Sequence, residues 1–387
     1  MLRERLAGGF YFFYYAAVAI VTPFFPVWLN NVGQSTSNIV LLTSLVKLTA
    51  ILGPIFWADF AKNTPRPYLF IGLGMALVSG MSALLPSSSS SLLFLSALTV
   101  AMGLLYHGLM PHFDALTLVG LGEDSSRYGQ IRVAGSLGYA AAGMIAGPWI
   151  INGGVWSLPA SSGLMFLGGA LCCLPLFTKK IETQKGSQTQ RASFAMAVAK
   201  LFTDPILTWL LSVSFLMQVS FGAYYVFYAL WLGQFGHSAL AIGMLVAWGT
   251  IAEIIILAKA PTLLKIIHPR ALVVLSIGMT IIRWILIGLT PQSTAWMFIA
   301  QSLHAFSYGA FHVATMQIFA QRLAQHEQMA FQGSFNAMTF GAGGLIGTLL
   351  AGFAWSSQGG SMAFNLAALL LTLSLLWSLK HLRESKD

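Results

Sequence analysis

Apolar residues recur along the whole chain in runs of about twenty, and polar positions collect in short connections between them. As a helix, a run of that length spans a hydrocarbon core of about 30 Å. The alternation that strands need is missing, and in lipid a helix satisfies its own backbone, so each run predicts a transmembrane helix. Twelve runs fit, beginning near Ala7, Ser37, Pro67, Leu92, Tyr128, Pro159, Pro205, Ser238, Arg270, Thr294, Gln328 and Ser361. The expected fold is an all-α membrane protein of twelve helices.

One long polar connection interrupts the series and divides the chain into a six-helix bundle over residues 1–178, a linker over 179–204 and a second six-helix bundle over 205–387. The halves look like copies. Trp28-Leu29, Gly33, Ser35, Ile39 and Leu42 recur 203 positions later as Trp231-Leu232, Gly236, Ser238, Ile242 and Leu245. Six helices return the chain to its starting side, so the repeat is parallel, the pattern of transporters built from two related bundles.

Composition agrees. Only 8% of residues are charged while 57% are apolar, against about 25% charged in a soluble domain. The net charge of +9 would suggest nucleic acid in a soluble protein, but its placement points to a membrane. Arg3, Arg5, Lys62, Arg66, Arg127, the linker, Lys259, Lys265, Arg270, Arg322 and the Lys380–Lys386 tail fall at alternate connections, and the intervening ones carry no charge. By the positive-inside rule both termini are cytoplasmic, and the expected location is a bacterial inner membrane. Cys172 and Cys173 are adjacent in one helix and read as packing residues, neither disulfide framework nor metal site. The first apolar run, about 25 residues long, is read as a retained helix rather than a cleaved signal.

Four ionisable side chains sit deep within spans of the second half: Glu253, Arg283, His304 and His312. Each costs at least about 2.5 to 3.5 kcal/mol there and so marks a functional hypothesis. At about 1.5 Å per residue, Glu253 and His312 fall about 20 to 24 Å from the extracytoplasmic face and Arg283 and His304 about 12 to 14 Å, close enough for one polar cluster. An ionised Glu253 paired with Arg283 would take up a proton only when the pair opens, freeing Arg283 for an anionic substrate. His304 or His312 would relay the proton. The alternative is a static buried pair serving register.

In the first half Lys47 lies midway across the second span, where it pairs with an acid or attracts an anion. His107 and Asp114 share one stripe of the fourth span, with Pro111 between them bending the helix. Asp114 is level with Arg132, which predicts a structural pair closing the cytoplasmic side or a substrate contact. Tyr14, in the FYFFYYAA run, and Tyr224, Tyr228 and Trp231 on one face of the seventh span either stack on a ring or pack the bundle.

Several segments resemble known families. Ala58-Asp59 followed by Lys62 and Arg66 is similar to the loop motif of the major facilitator superfamily, which implies a gating role for Asp59, although the Gly before the Asp and the Asp-Arg pair are missing. Gly143, Gly147 and Pro148 partly resemble the fifth-helix motif of drug and proton antiporters. The stretches YGQIRVAGSLGY, GAYYVFYALWL, IIRWILIG and QSLHAFSYGAFHVATM resemble the phenylpropionate permease family within that superfamily, near the nucleoside and oligosaccharide proton symporters. An acid on helix 8, an Arg on helix 9 and a His on helix 10 resemble the coupling residues of the lactose permease group. No clear carboxylate stands beside the helix 10 histidines, which leaves Glu253 or a His as proton carrier.

The expected function is a secondary active transporter, a monomer without cofactor and driven by the proton gradient, that imports a small organic solute; Lys47 and Arg283 against Glu253, with aromatics on helices 1 and 7, favour a monocarboxylate with an aromatic or otherwise apolar body. Alternatives are a proton-coupled exporter, or an importer of a nucleoside, sugar or siderophore-like carboxylate. A membrane enzyme is disfavoured, since His326-Glu327 is followed by Ala330 where a zinc protease needs a second His. No sequence resembles a channel filter.

Overall fold

The computed structural model describes residues 2–121, 127–177 and 199–384, apart from the side chains of residues 2, 58–63, 146, 325–326, 329–330 and 381–384. All twelve spans are helical. They are α1 (Leu2–Asn31), α2 (Thr36–Asn63), α3 (Pro67–Ser82), α4 (Leu92–Leu121), α5 (Tyr128–Asn152), α6 (Ser157–Cys173), α7 (Pro205–Gln234), α8 (Ala239–Ala258), α9 (Pro269–Leu289), α10 (294–322), α11 (325–357) and α12 (360–384). Among the described residues nine helices are long and apolar enough to cross a membrane, and the last of these, Phe331–Lys380, holds two passes broken at Gln358 and Gly359. The short α3 and the interrupted α10 complete the twelve. Bulky apolar side chains face outward, Leu93 at 83% and Phe353 at 75% exposure, as a lipid-facing surface requires. The protein is a multi-pass membrane protein.

Two compact units make up the chain, Met1–Gly186 with Ser238–Ala247 and Ser187–His237 with Trp248–Asp387. The polar linker falls largely outside the described residues; its last part is helical and ends at Asp204, whose carboxylate caps α7 by accepting from the N–H groups of Ile206 (2.8 Å) and Leu207 (3.1 Å).

The 203-residue repeat appears as a repeated turn. Gly33 and Gly236 adopt φ of 84° and 78°, a conformation that disfavours a Cβ. Gln34 N–H then donates to Leu29 carbonyl (2.9 Å) and His237 N–H to Leu232 carbonyl (3.3 Å), closing the two helix ends alike. Ser35 and Ser238 cap the following helices by accepting from Asn38 and Ala241 N–H groups. Packing repeats too. A Cβ on Gly138 of α5 would collide with Phe12 carbonyl oxygen of α1, and one on Gly222 of α7 would collide with Gly347 carbonyl oxygen of α11. Both helix pairs approach backbone to backbone through small residues, as membrane helices do where lipid supplies no hydrophobic drive between them.

Among the described residues two helices carry a wide π turn, Ala305–Ala310 in α10 and Ala337–Gly343 in α11. Such turns hold an extra residue and cluster at functional sites. Tyr308 of the first and Phe340 of the second meet edge to face, ring centroids 6.2 Å apart.

Candidate functional site

Arg283, on α9, is fully buried in the second unit. Its guanidinium donates to Gln301 Oε1 at 2.8 Å and meets His304 Nδ1 at 3.0 Å. Aromatic rings surround it, Tyr224 at 4.4 Å and Trp284 at 4.6 Å from the guanidinium carbon, with Phe221 at 5.6 Å. These distances suit cation–π attraction. Gln301 Nε2 in turn donates to Tyr224 hydroxyl at 3.1 Å. Among the described residues, Arg283 Nε and the hydroxyl of buried Tyr228 find no hydrogen-bond partner, and an unmet buried donor is costly. Both are donors that an anionic group would satisfy.

His304 is the link to the acid. Arginine has no acceptor, so the contact with Arg283 makes Nδ1 the acceptor and puts the ring proton on Nε2. That nitrogen lies 3.8 Å from Glu253 Oε2. Glu253 and Arg283 therefore face opposite sides of one imidazole, rather than pairing directly as the sequence led us to expect. Depth counting also placed Glu253 level with His312. Its backbone is indeed level with Gly309, where an added Cβ would lie 3.4 Å from Glu253 Cγ. Helical side chains lean toward the N-terminus of their helix, however, and the lean carries the carboxylate back to His304.

Glycine makes room for the cluster. A Cβ on Gly249, one turn before Glu253, would lie 3.2 Å from Gln301 Oε1 and 3.4 Å from His304 Cδ2. His312 stacks on Tyr308 (6.2 Å, 9°), which also faces His304 (6.0 Å), so the three rings form a column along α10. His312 lies at its far end, beside a cavity of about 30 Å³.

Lys47, on α2, and His107, on α4, both belong to the first unit. His107 Nδ1 lies 3.2 Å from Thr49 hydroxyl. Tyr14 is buried and donates to Tyr106 carbonyl at 3.1 Å, which ties α1 to α4. Trp231, likewise buried, donates to Ile287 carbonyl at 2.9 Å. Asp114 and Arg132 meet at 3.9 Å within a set of phenols. Asp114 Oδ1 accepts from Tyr11 (2.8 Å) and Tyr128 (2.7 Å). Arg132 donates to Tyr128 at 3.0 Å and to Tyr15. The side chain of Asp59 lies outside the described residues.

The model of the MFS_1 like family matches residues 5–366, nearly the whole chain. The chain belongs to the MFS_1 like family. Among relatives of this MFS_1 like protein, the "Probable 3-phenylpropionic acid transporter" of Escherichia coli (strain K12) is 25% identical over 361 residues, 93% of each chain. The maltose permease of Geobacillus stearothermophilus is 23% identical, covering all of this chain and 97% of its own. Among solved structures, the nucleoside transporter NupG superposes with a TM-score of 0.82 at 14% identity, over 100% of this chain and 100% of that one. At that identity the likeness shows the fold. These are transporters of the major facilitator superfamily, not enzymes, and this MFS_1 like chain is a secondary transporter.

Sequence reasoning missed Gln301, which holds both Arg283 and Tyr224. Its signal was available: a lone amide in the apolar segment TAWMFIAQSLHAF, one turn before His304. It also missed both π turns, which have no sequence signature.

Proposed function

We propose that the protein imports a small organic monocarboxylate together with a proton, by alternating access, across a bacterial inner membrane with both termini in the cytoplasm. The observation that carries this is the position of His304 between Arg283 and Glu253. Protonating Glu253 removes the charge facing His304, and an incoming carboxylate takes the donors that Arg283 and Tyr228 leave unmet. Substrate and proton thus act on two sides of one ring, which couples them.

The aromatic lining from Phe221, Tyr224 and Trp284 favours a substrate with a flat apolar body, and the likeness to a probable 3-phenylpropionic acid transporter supports that class. Lys47 and His107 serve recognition in the first unit. Asp114 and Arg132 hold the end of that unit shut in one state. The two six-helix bundles, joined by the linker at 179–204, work as one monomer.

Purified protein in liposomes with an inward proton gradient tests the scheme with a panel of aromatic acids, sugars and nucleosides. Wild type should accumulate an aromatic acid, and Glu253→Gln should lose accumulation yet keep exchange of labelled for unlabelled substrate. Undiminished accumulation by Glu253→Gln would remove it as the coupling residue. Accumulation of a neutral sugar or nucleoside alone would reject the carboxylate reading.

A further inference from the structure

The cavity at the far end of the ring column lies between α7, α10 and α11, and its walls mix polar side chains with aromatic and other apolar ones. Ser214 and Gln218 of α7, Ser307, His312 and Thr315 of α10, and Asn336 and Thr339 of α11 all line it. Ser214 Oγ and Thr315 Oγ1 are buried with no hydrogen-bond partner among the described residues. Both π turns contribute to the wall, through Ser307 and Tyr308 on one side and Thr339 and Phe340 on the other. A buried water needs at least about 10 to 15 Å³ and two to four polar partners. A cavity of about 30 Å³ therefore has room for about two waters, and Gln218, His312 and Asn336 in its wall are polar partners for them.

We propose that this cavity is a buried-water site through which His312 exchanges a proton with solution on behalf of the Glu253–His304 pair. The inference rests on the proton-coupled reading above and adds the route. Among the described residues the walls contain no carboxylate, so a metal cation would enter without charge compensation, which disfavours a cation site. Water needs none. One proton from solution crosses the cavity water to His312 and passes on to Glu253, so the water and His312 both return to their starting states. The charged groups facing this stretch of α10 are Glu253, which reaches it at Gly309, and Arg283, which reaches it at His304. From α7 and α11 the cavity wall is neutral, and from α10 itself His304 and Tyr308 complete the set. The column His304, Tyr308, His312 places the cavity in line with the coupling pair.

The test is histidine-labelled full-length protein followed by NMR across about pH 5 to 8, where an imidazole exchanges its proton. In wild type the His312 ring signals should move with pH. In Ser214→Val/Thr315→Val, where methyl groups replace the hydroxyls and fill the space, that movement should be lost or slowed at least about tenfold. Unchanged titration in the filled protein, or no titration in wild type, overturns the proposal. Should the double variant not fold, Ser214→Ala serves, together with a high-resolution map of wild type. Ordered water touching Ser214 and Thr315 in that map supports the site, and a dry cavity overturns it. Loss of coupling in Glu253→Gln with His312 titration intact separates the two readings, since retained accumulation there would sink only the coupling scheme.

Discussion

The Nδ1 atom of His304 lies 3.0 Å from Nη1 of Arg283, and a guanidinium only donates. The contact fixes the tautomer, with the proton on Nε2 toward Glu253. Nitrogen NMR of labelled protein should therefore show His304 with an unprotonated Nδ1. Arg283→Met should release the constraint and let the two tautomers mix. A wild-type ring protonated at Nδ1 would contradict the arrangement.

Arg283→Lys keeps the charge but loses the planar fork that reaches Gln301 and His304 together and stacks on Tyr224. Substrate affinity should fall at least about tenfold, or about 1.4 kcal/mol. Calorimetric titration with the substrate found in the liposome panel measures it, and equal affinity would exclude a bidentate role.

Gly222 and Gly347 let α7 and α11 touch through their backbones, and no side chain there can swing aside. Gly222→Ala should lower stability by about 1 to 3 kcal/mol, the usual range for overpacking. Gly169→Ala meets a movable atom, the terminal methyl Cε of Met75, and should cost less. Thermal unfolding in detergent ranks the pair, and the reverse order would refute the packing account.

Gly33 and Gly236 have open space around them, so only their backbone conformation resists a side chain. Alanine at either should cost about 1 to 2 kcal/mol, and the two losses should be similar because the turns are copies. A large difference between them would mean the repeat is not mechanical.

What could be read from the sequence divides along physical lines. Span number, the repeat and the turns at Gly33 and Gly236 depend on local chemistry, which sequence displays directly. Glu253, Arg283 and His304 stood out because a charge in lipid is expensive, and the structure places them together. Gln301 carries no such penalty and was passed over. The order Glu253, His304, Arg283 depends on side-chain lean, and the column of rings on α10 depends on a wide turn. Counting residues along a straight axis captures neither.

That wide turn has a consequence for motion. The extra residue at Ala305–Ala310 is a dislocation in the hydrogen-bond lattice of α10, and a dislocation can glide. Moving it past a residue rotates that residue by about 100° while both ends of the helix keep their neighbours. Between His304 and His312, such a glide would turn Tyr308 into or out of line without bending α10, a switch internal to one helix.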